Sequence, residues 1–291
     1  MFSGSMVALV TPMDEEGRID YSALQKLIDF HVENGTKAIV AVGTTGESAT
    51  LDMDEHSEFI KKTVEITNGR LPIIGGTGAN STTEALELTE NAKKAGCDAA
   101  LLVTPYYNKP TQNGLWLHYK KLAESVDIPQ ILYNVPGRTC CDMLPETVKK
   151  LSVLDNIIGI KEASGSVDRI IELRKKCGDN FGIFSGDDNI CRKAMLAAAN
   201  GVISVTANIA PKLMSNMCSN ALAGDAKKAE LIDEKLSELH RTLFLETNPI
   251  PAKWAVAKMG LINKGIRLPM TWLDEEYHQQ VTKAMSLAGV I

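Results

Sequence analysis

No stretch of this sequence approaches the roughly 20 apolar residues that a membrane-spanning helix needs. The first residues, Met1-Phe2-Ser3-Gly4-Ser5, lack the basic start of a secretory signal and run straight into a strand-like stretch. Six cysteines (Cys97, Cys140, Cys141, Cys177, Cys191, Cys218) form no C-x-x-C pair and share no regular spacing. That pattern reads as reduced thiols rather than a disulfide frame or a zinc site. The five histidines (His31, His56, His118, His240, His278) supply no H-E-x-x-H or other close ligand pair, so no metal is expected. Positive charge is also short. A formal net charge of −5 argues against a nucleic-acid partner, which would want a basic face. The expectation is a soluble, cytoplasmic protein.

What the chain does have is length and order. Its 291 residues, 44% hydrophobic and 23% charged, are ordinary for a globular protein and enough for one α/β barrel, which takes about 250. Short apolar runs recur from Ser5, Ala38, Pro72, Asp98, Pro129, Asn156, Phe181 and Gly201. Each is nearly continuous, as for parallel strands buried on both faces, and each ends in Thr, Gly, Pro, Asn or Asp.

Helical periodicity fills the gaps. Leu24, Leu27, Ile28 and His31 share one face after a candidate N-cap at Asp20 and before Gly35. Asp52 with Glu55, and Ser81 with Glu84, read as capping boxes; Gly96, Gly178 and Gly224 fall where helices should stop. Eight strand–helix alternations, with no G-x-G-x-x-G after any strand, predict a closed (β/α)8 TIM barrel over 1–223 rather than a doubly wound sheet. A helical extension follows over 224–291. Ile232, Leu236, Leu239 and Leu243 line one face, Pro249-Ile250-Pro251 starts a second helix, and a last helix begins near Asp274. This region is too short to fold alone and should pack on the barrel or a neighbouring subunit.

Barrel enzymes build their sites at the C-terminal ends of the strands. The sixth strand ends Ile160-Lys161-Glu162. Burying an ammonium costs several kcal/mol unless it is paired. Lys161 therefore either snorkels or pairs with Glu162, or it is a nucleophile whose pKa, about 10.4 when free, is lowered by desolvation. The run alone does not choose. The second strand ends Gly43-Thr44-Thr45-Gly46-Glu47; it lacks the Gly-Lys-Ser/Thr of a P-loop, and is either an ordinary glycine turn or a cradle for a carboxylate. The fifth ends at Tyr133, a candidate proton carrier, with Arg138 five residues on and suited to a bidentate carboxylate grip. The fourth adds Tyr106 and Tyr107, which equally suit rim packing. Asp187-Asp188 could hold a cation, but strand-end carboxylates usually cap helices.

Taken together, GTTGE (43–47), TPYYN (104–108), YNVPGRT (133–139), GIKEASG (159–165), SGDD (185–188) and GVISVTAN (201–208) resemble the pyruvate-dependent class I aldolase family. Six motifs in order at strand ends is a specific signal, and it selects the nucleophilic reading of Lys161. Within that family the chain resembles the members that condense pyruvate with L-aspartate 4-semialdehyde, the first committed step of lysine biosynthesis by the diaminopimelate pathway. The resemblance implies a Schiff base on Lys161 and proton transfer by Tyr133, linked through Thr44 to Tyr107 of a second subunit. It implies pyruvate held by Thr45, Ile203 and Gly186, and the semialdehyde carboxylate held by Arg138. It implies no cofactor, because the lysine replaces the zinc of a class II aldolase, and a homotetramer made of two tight dimers. The alternatives are another pyruvate lyase, such as an N-acetylneuraminate lyase or a 2-keto-3-deoxy sugar-acid aldolase, and a non-catalytic barrel that only binds an oxo-acid.

The resemblance also implies an allosteric L-lysine pocket lined by Ser48, Ala49, His56, Asn80, Glu84 and Tyr106. Glu84 has a second explanation in the Ser81 cap, and His56 in a plain helix-surface position. Met53, one turn before His56, stands where inhibited relatives carry histidine; a thioether cannot donate a hydrogen bond, so weak, partial inhibition is expected.

Overall fold

The computed structural model of the chain describes residues 2–291. Its first four strand–helix units run β1 (Gly4–Ala8), α1 (Tyr21–Glu33), β2 (Ile39–Ala41), α2 (Met53–Thr67), β3 (Ile73–Gly76), α3 (Thr82–Ala95), β4 (Ala99–Val103) and α4 (Gln112–Ser125). They continue with β5 (Gln130–Asn134), α5 (Pro136–Thr139), α6 (Pro145–Leu151), β6 (Ile157–Glu162), α7 (Val167–Cys177), β7 (Gly182–Ser185), α8 (Cys191–Ala197), β8 (Gly201–Ser204) and α9 (Pro211–Leu222). The strands pair in parallel, each with its neighbour in sequence, and β8 closes on β1: a (β/α)8 barrel. Every predicted strand start lies within one residue of the observed one. Closure is tight at one point. Gly201 is the register partner of Gly4, and a Cβ on Gly201 would stand 2.3 Å from the Gly4 carbonyl oxygen. Only glycine fits.

Two apolar layers hold the barrel. Inside it, Met6, Ala8, Val40, Ile74, Leu101, Ile131, Tyr133, Phe184 and Ile203 pack together. Between strands and helices lies the larger layer, to which α1 contributes Ala23, Leu24, Leu27 and Ile28, with His31 buried beside them. Each fully buried Leu or Ile of this kind contributes about 1.5–3 kcal/mol.

Asp20 caps α1, its carboxylate accepting from the Ala23 N–H, and Gly35, Gly96 and Gly224 take up the left-handed backbone that ends a helix. The two capping boxes form only by half. Asp52 accepts from the Glu55 N–H at 2.9 Å, but the Glu55 carboxylate is drawn to the Arg267 guanidinium, at 2.7 Å for each oxygen. Ser81 accepts from the Glu84 N–H at 3.4 Å. A bidentate ion pair outcompetes a single backbone N–H for a glutamate.

After α9 come α10 (Ala226–Thr242), α11 (Ile250–Lys258) and α12 (Glu275–Leu287). Helix α10 lies along α9 and α12, burying Leu236 and Leu239. No helix among the described residues is long and apolar enough to cross a membrane.

Candidate active site

Lys161 and Glu162 end β6, and successive strand residues face opposite ways. The register pairs Tyr133 with Lys161 and Asn134 with Glu162. Tyr133 and Lys161 therefore share the inner face, and Asn134 and Glu162 the outer one. Side chains agree. The Lys161 Nζ stands 4.3 Å from the centroid of the Tyr133 ring. The Asn134 amide donates to both Glu162 oxygens at 3.3 and 3.2 Å, and the Ser164 N–H donates to Glu162 at 2.9 Å. Burial pushes the Glu162 carboxyl up, and these donors only partly offset it. The pairing of Lys161 with Glu162 is thus ruled out by strand alternation. Snorkelling is ruled out too, because Lys161 is 5% exposed.

Lys161 ends in a narrow, partly enclosed cavity of about 70 Å³ at the C-terminal mouth of the barrel, room for about five water-sized groups. Thr44, Thr45, Tyr133, Arg138 and Gly186 line it with Lys161. Gly186 has a steric reason to be glycine: an added Cβ would lie 2.6 Å from the Ala163 Cβ and 3.0 Å from the Lys161 Cε. Thr44–Gly46 form a single 3-10 turn, flanked by Val42 and Glu47 in left-handed backbone, and this turn presents the two threonines to the cavity.

Not every predicted residue converges there. Ile203 is buried within the barrel, but the residue of this segment that lines the cavity is Val205, just past the end of β8. Tyr107 is 89% exposed, sits in left-handed backbone and does not line the cavity of its own barrel. No hydrogen bond joins Thr44 to Tyr133 among the described residues.

Asp187, Asn248 and Phe244 are among the lining residues that were not predicted. Asp187, set aside as a helix cap, accepts from the Gly165 N–H at 2.8 Å; burial raises its carboxyl, partly opposed by Lys161. Asn248 and Phe244 come from the C-terminal region. The Asn248 side-chain amide donates to Thr45 Oγ1 at 3.0 Å, and the Asn248 backbone carbonyl accepts from Arg138 at 3.3 Å. The sequence offered here only the Pro249-Ile250-Pro251 start of a helix, a structural signal and not a site.

Of the six residues assigned to the allosteric set, Asn80 and Tyr106 are hydrogen-bonded, the Asn80 amide donating to the Tyr106 carbonyl at 3.3 Å. The Tyr106 hydroxyl is pushed up by burial and by the nearby Glu84 carboxylate. His56 is buried, not a helix-surface residue, and burial brings its pKa down to about 4. Ser48 and Ala49 lie on the 3-10 turn that follows the threonines.

A larger hollow of about 780 Å³ opens at the opposite end of the barrel, among Phe2, Lys37, Pro129 and Phe181. It holds none of these groups.

A model of the dihydrodipicolinate synthetase family matches residues 1–288. The chain belongs to this family. The 4-hydroxy-tetrahydrodipicolinate synthase of Stutzerimonas stutzeri is 60% identical over 291 residues, all of both chains. The chloride-inhibited dihydrodipicolinate synthase of Acinetobacter baumannii, solved in complex with pyruvate, superposes with a TM-score of 0.99 at 53% identity, covering both chains fully. The enzyme from Cyanidioschyzon merolae with lysine bound does so at 0.96 and 37% identity, covering 100% of this chain and 99% of that one. Family membership extends through the C-terminal helices, so the barrel and the region that supplies Asn248 are matched as one unit.

Proposed function

We propose that this chain is a lyase of lysine biosynthesis that condenses pyruvate with L-aspartate 4-semialdehyde to give 4-hydroxy-tetrahydrodipicolinate, in the cytoplasm. One observation carries the reading: a buried lysine amine, unpaired by any carboxylate among the described residues, set against a tyrosine ring in a cavity sized for a small oxo-acid.

In this reading the Lys161 amine attacks the ketone carbon of pyruvate, and water leaves to give an iminium ion. The iminium draws electrons from the methyl group, which loses a proton, and Tyr133 is the proton carrier at hand. The resulting enamine attacks the aldehyde carbon of the semialdehyde. The substrate's own amine then adds to the iminium carbon and displaces Lys161, which returns to its free form. Thr45 and Gly186 would hold pyruvate, with the Ile203 carbonyl beneath. Arg138 would grip the semialdehyde carboxylate, since this exposed residue also lines the cavity. The lysine supplies the electrophilic activation, so the scheme calls on no metal.

Tyr107 fits a role in a partner's barrel: it projects from its own rim, where Thr44 would link it to Tyr133 across a dimer interface. The family resemblance adds a tetramer made of two such dimers. L-Lysine would act at the site formed around Asn80, Glu84, Tyr106 and His56, with Ser48 and Ala49 beside it.

The test is turnover of pyruvate with each candidate aldehyde. L-Aspartate 4-semialdehyde should be used in strong preference to N-acetylmannosamine or glyceraldehyde. A preference for a sugar aldehyde would assign the chain to a different lyase, and no turnover with any would leave a binding protein.

A further inference from the structure

Three residues from the C-terminal region attach to one short turn at the end of β2. Asn248 donates to Thr45. Lys253, on α11 and fully buried, donates to the Glu47 carboxylate at 2.5 Å, and Glu47 is buried as well. The backbone N–H of Arg267 donates to the other Glu47 oxygen at 3.1 Å, and its guanidinium holds the Thr50 carbonyl at 2.8 Å. Thr44 and Thr45, both at the cavity wall, begin this anchored segment, Thr45 being one of its attachment points.

The turn would not stay in place unaided. Val42 and Glu47 both adopt left-handed backbone, with φ of 55° and 60°, which costs a residue with a Cβ and persists only where surrounding contacts impose it. The Glu47 side chain points away from the cavity into protein, so its charge is not there to meet substrate. A lone buried carboxylate is costly, and the Lys253 ammonium is the countercharge that makes it tolerable.

We propose that Lys253 is a positioning residue for the reaction: acting through Glu47, it fixes the Thr44–Thr45 turn in the orientation that receives the pyruvate carboxylate. This inference rests on the proposed use of pyruvate. It makes the C-terminal helices part of the substrate-binding apparatus, although they contribute no group to the covalent chemistry.

The experiment compares wild type, K253M, and the doubly neutral E47Q/K253M, which removes both buried charges and so retains a foldable core if K253M does not. Each protein is checked by thermal melting, then trapped with borohydride over a range of pyruvate concentrations. The folded variants should need on the order of tenfold more pyruvate for half-maximal trapping, while the KM for the semialdehyde changes less than about twofold. A folded variant with a lower melting temperature but the wild-type pyruvate dependence would show that the pair is only scaffolding and would overturn the inference. A wild type that traps no pyruvate at all would overturn the function beneath it instead.

Discussion

The Lys161 Nζ lies 4.3 Å from the centre of the Tyr133 ring, and the two residues are register partners on adjacent strands. An ammonium over an aromatic face is attracted by the ring quadrupole, by about 0.5–2 kcal/mol depending on desolvation. Tyr133 therefore does two things at once. Its face fixes where the amine rests, and its hydroxyl is carried on the same rigid ring at the barrel mouth.

The tightness around Gly186 makes one consequence measurable. In Gly186→Ala the new methyl would fall 3.0 Å from the Lys161 Cε and 2.6 Å from the Ala163 Cβ. Overpacking of this sort costs about 1–3 kcal/mol of stability, and the amine must shift to relieve it. The expected result is a lower melting temperature together with a fall in kcat of about tenfold or more. Wild-type kcat in this variant would mean that the Lys161 side chain has freedom the packing does not suggest.

Feedback by L-lysine should be weak. Met53 is half-buried one turn before the buried His56, and a thioether offers no donor to the ligand or its neighbours. One missing hydrogen bond costs roughly 1 kcal/mol, about a fivefold weakening. Titration with lysine at fixed substrate should therefore show partial inhibition of the wild type and tighter inhibition of Met53→His. An insensitive wild type, or no gain in the variant, would remove the proposed pocket.

Buried histidines should make the fold acid-sensitive. Burial lowers the pKa of His31 to about 3, against an ordinary value of 6.5. Its stabilising effect is fully present above pH 6.5, where the unfolded state is also neutral. It is lost as the pH falls, because the unfolded chain then gains a proton that the folded chain refuses. Between pH 7 and 5 this amounts to on the order of 2 kcal/mol. Glu162 and Asp187, raised by burial, act in the opposite sense. Urea midpoints at pH 7 and 5 should therefore be compared between wild type and His31→Gln, which share those carboxylates. The wild type should lose more stability on acidification. Equal losses would mean that His31 is protonated inside the fold.

The barrel was legible because parallel strands covered on both faces must be nearly continuous apolar runs, and eight of them stood out. Lys161, Thr44, Thr45, Tyr133 and Arg138 were legible for a related reason: each follows such a run, where a barrel places its chemistry. The choice between the two readings of Lys161 was not legible in the β6 run itself, because it depends on which face of the strand the residue takes; only the set of six motifs selected one. Asn248 and Lys253 were invisible to local pattern. Their partners, Thr45 and Glu47, lie 203 and 206 residues away in the chain. Glu55 misled for the same reason, its capping role being displaced by Arg267, 212 residues distant.

The central claim is that Lys161 is the residue that bonds to substrate. Incubation with pyruvate, reduction with borohydride and peptide mass mapping test it directly. The expected result is a reduced pyruvyl adduct on the peptide that carries Lys161, absent in Lys161→Ala. An adduct on another lysine, such as the exposed Lys109, or an undiminished adduct in Lys161→Ala, would contradict it.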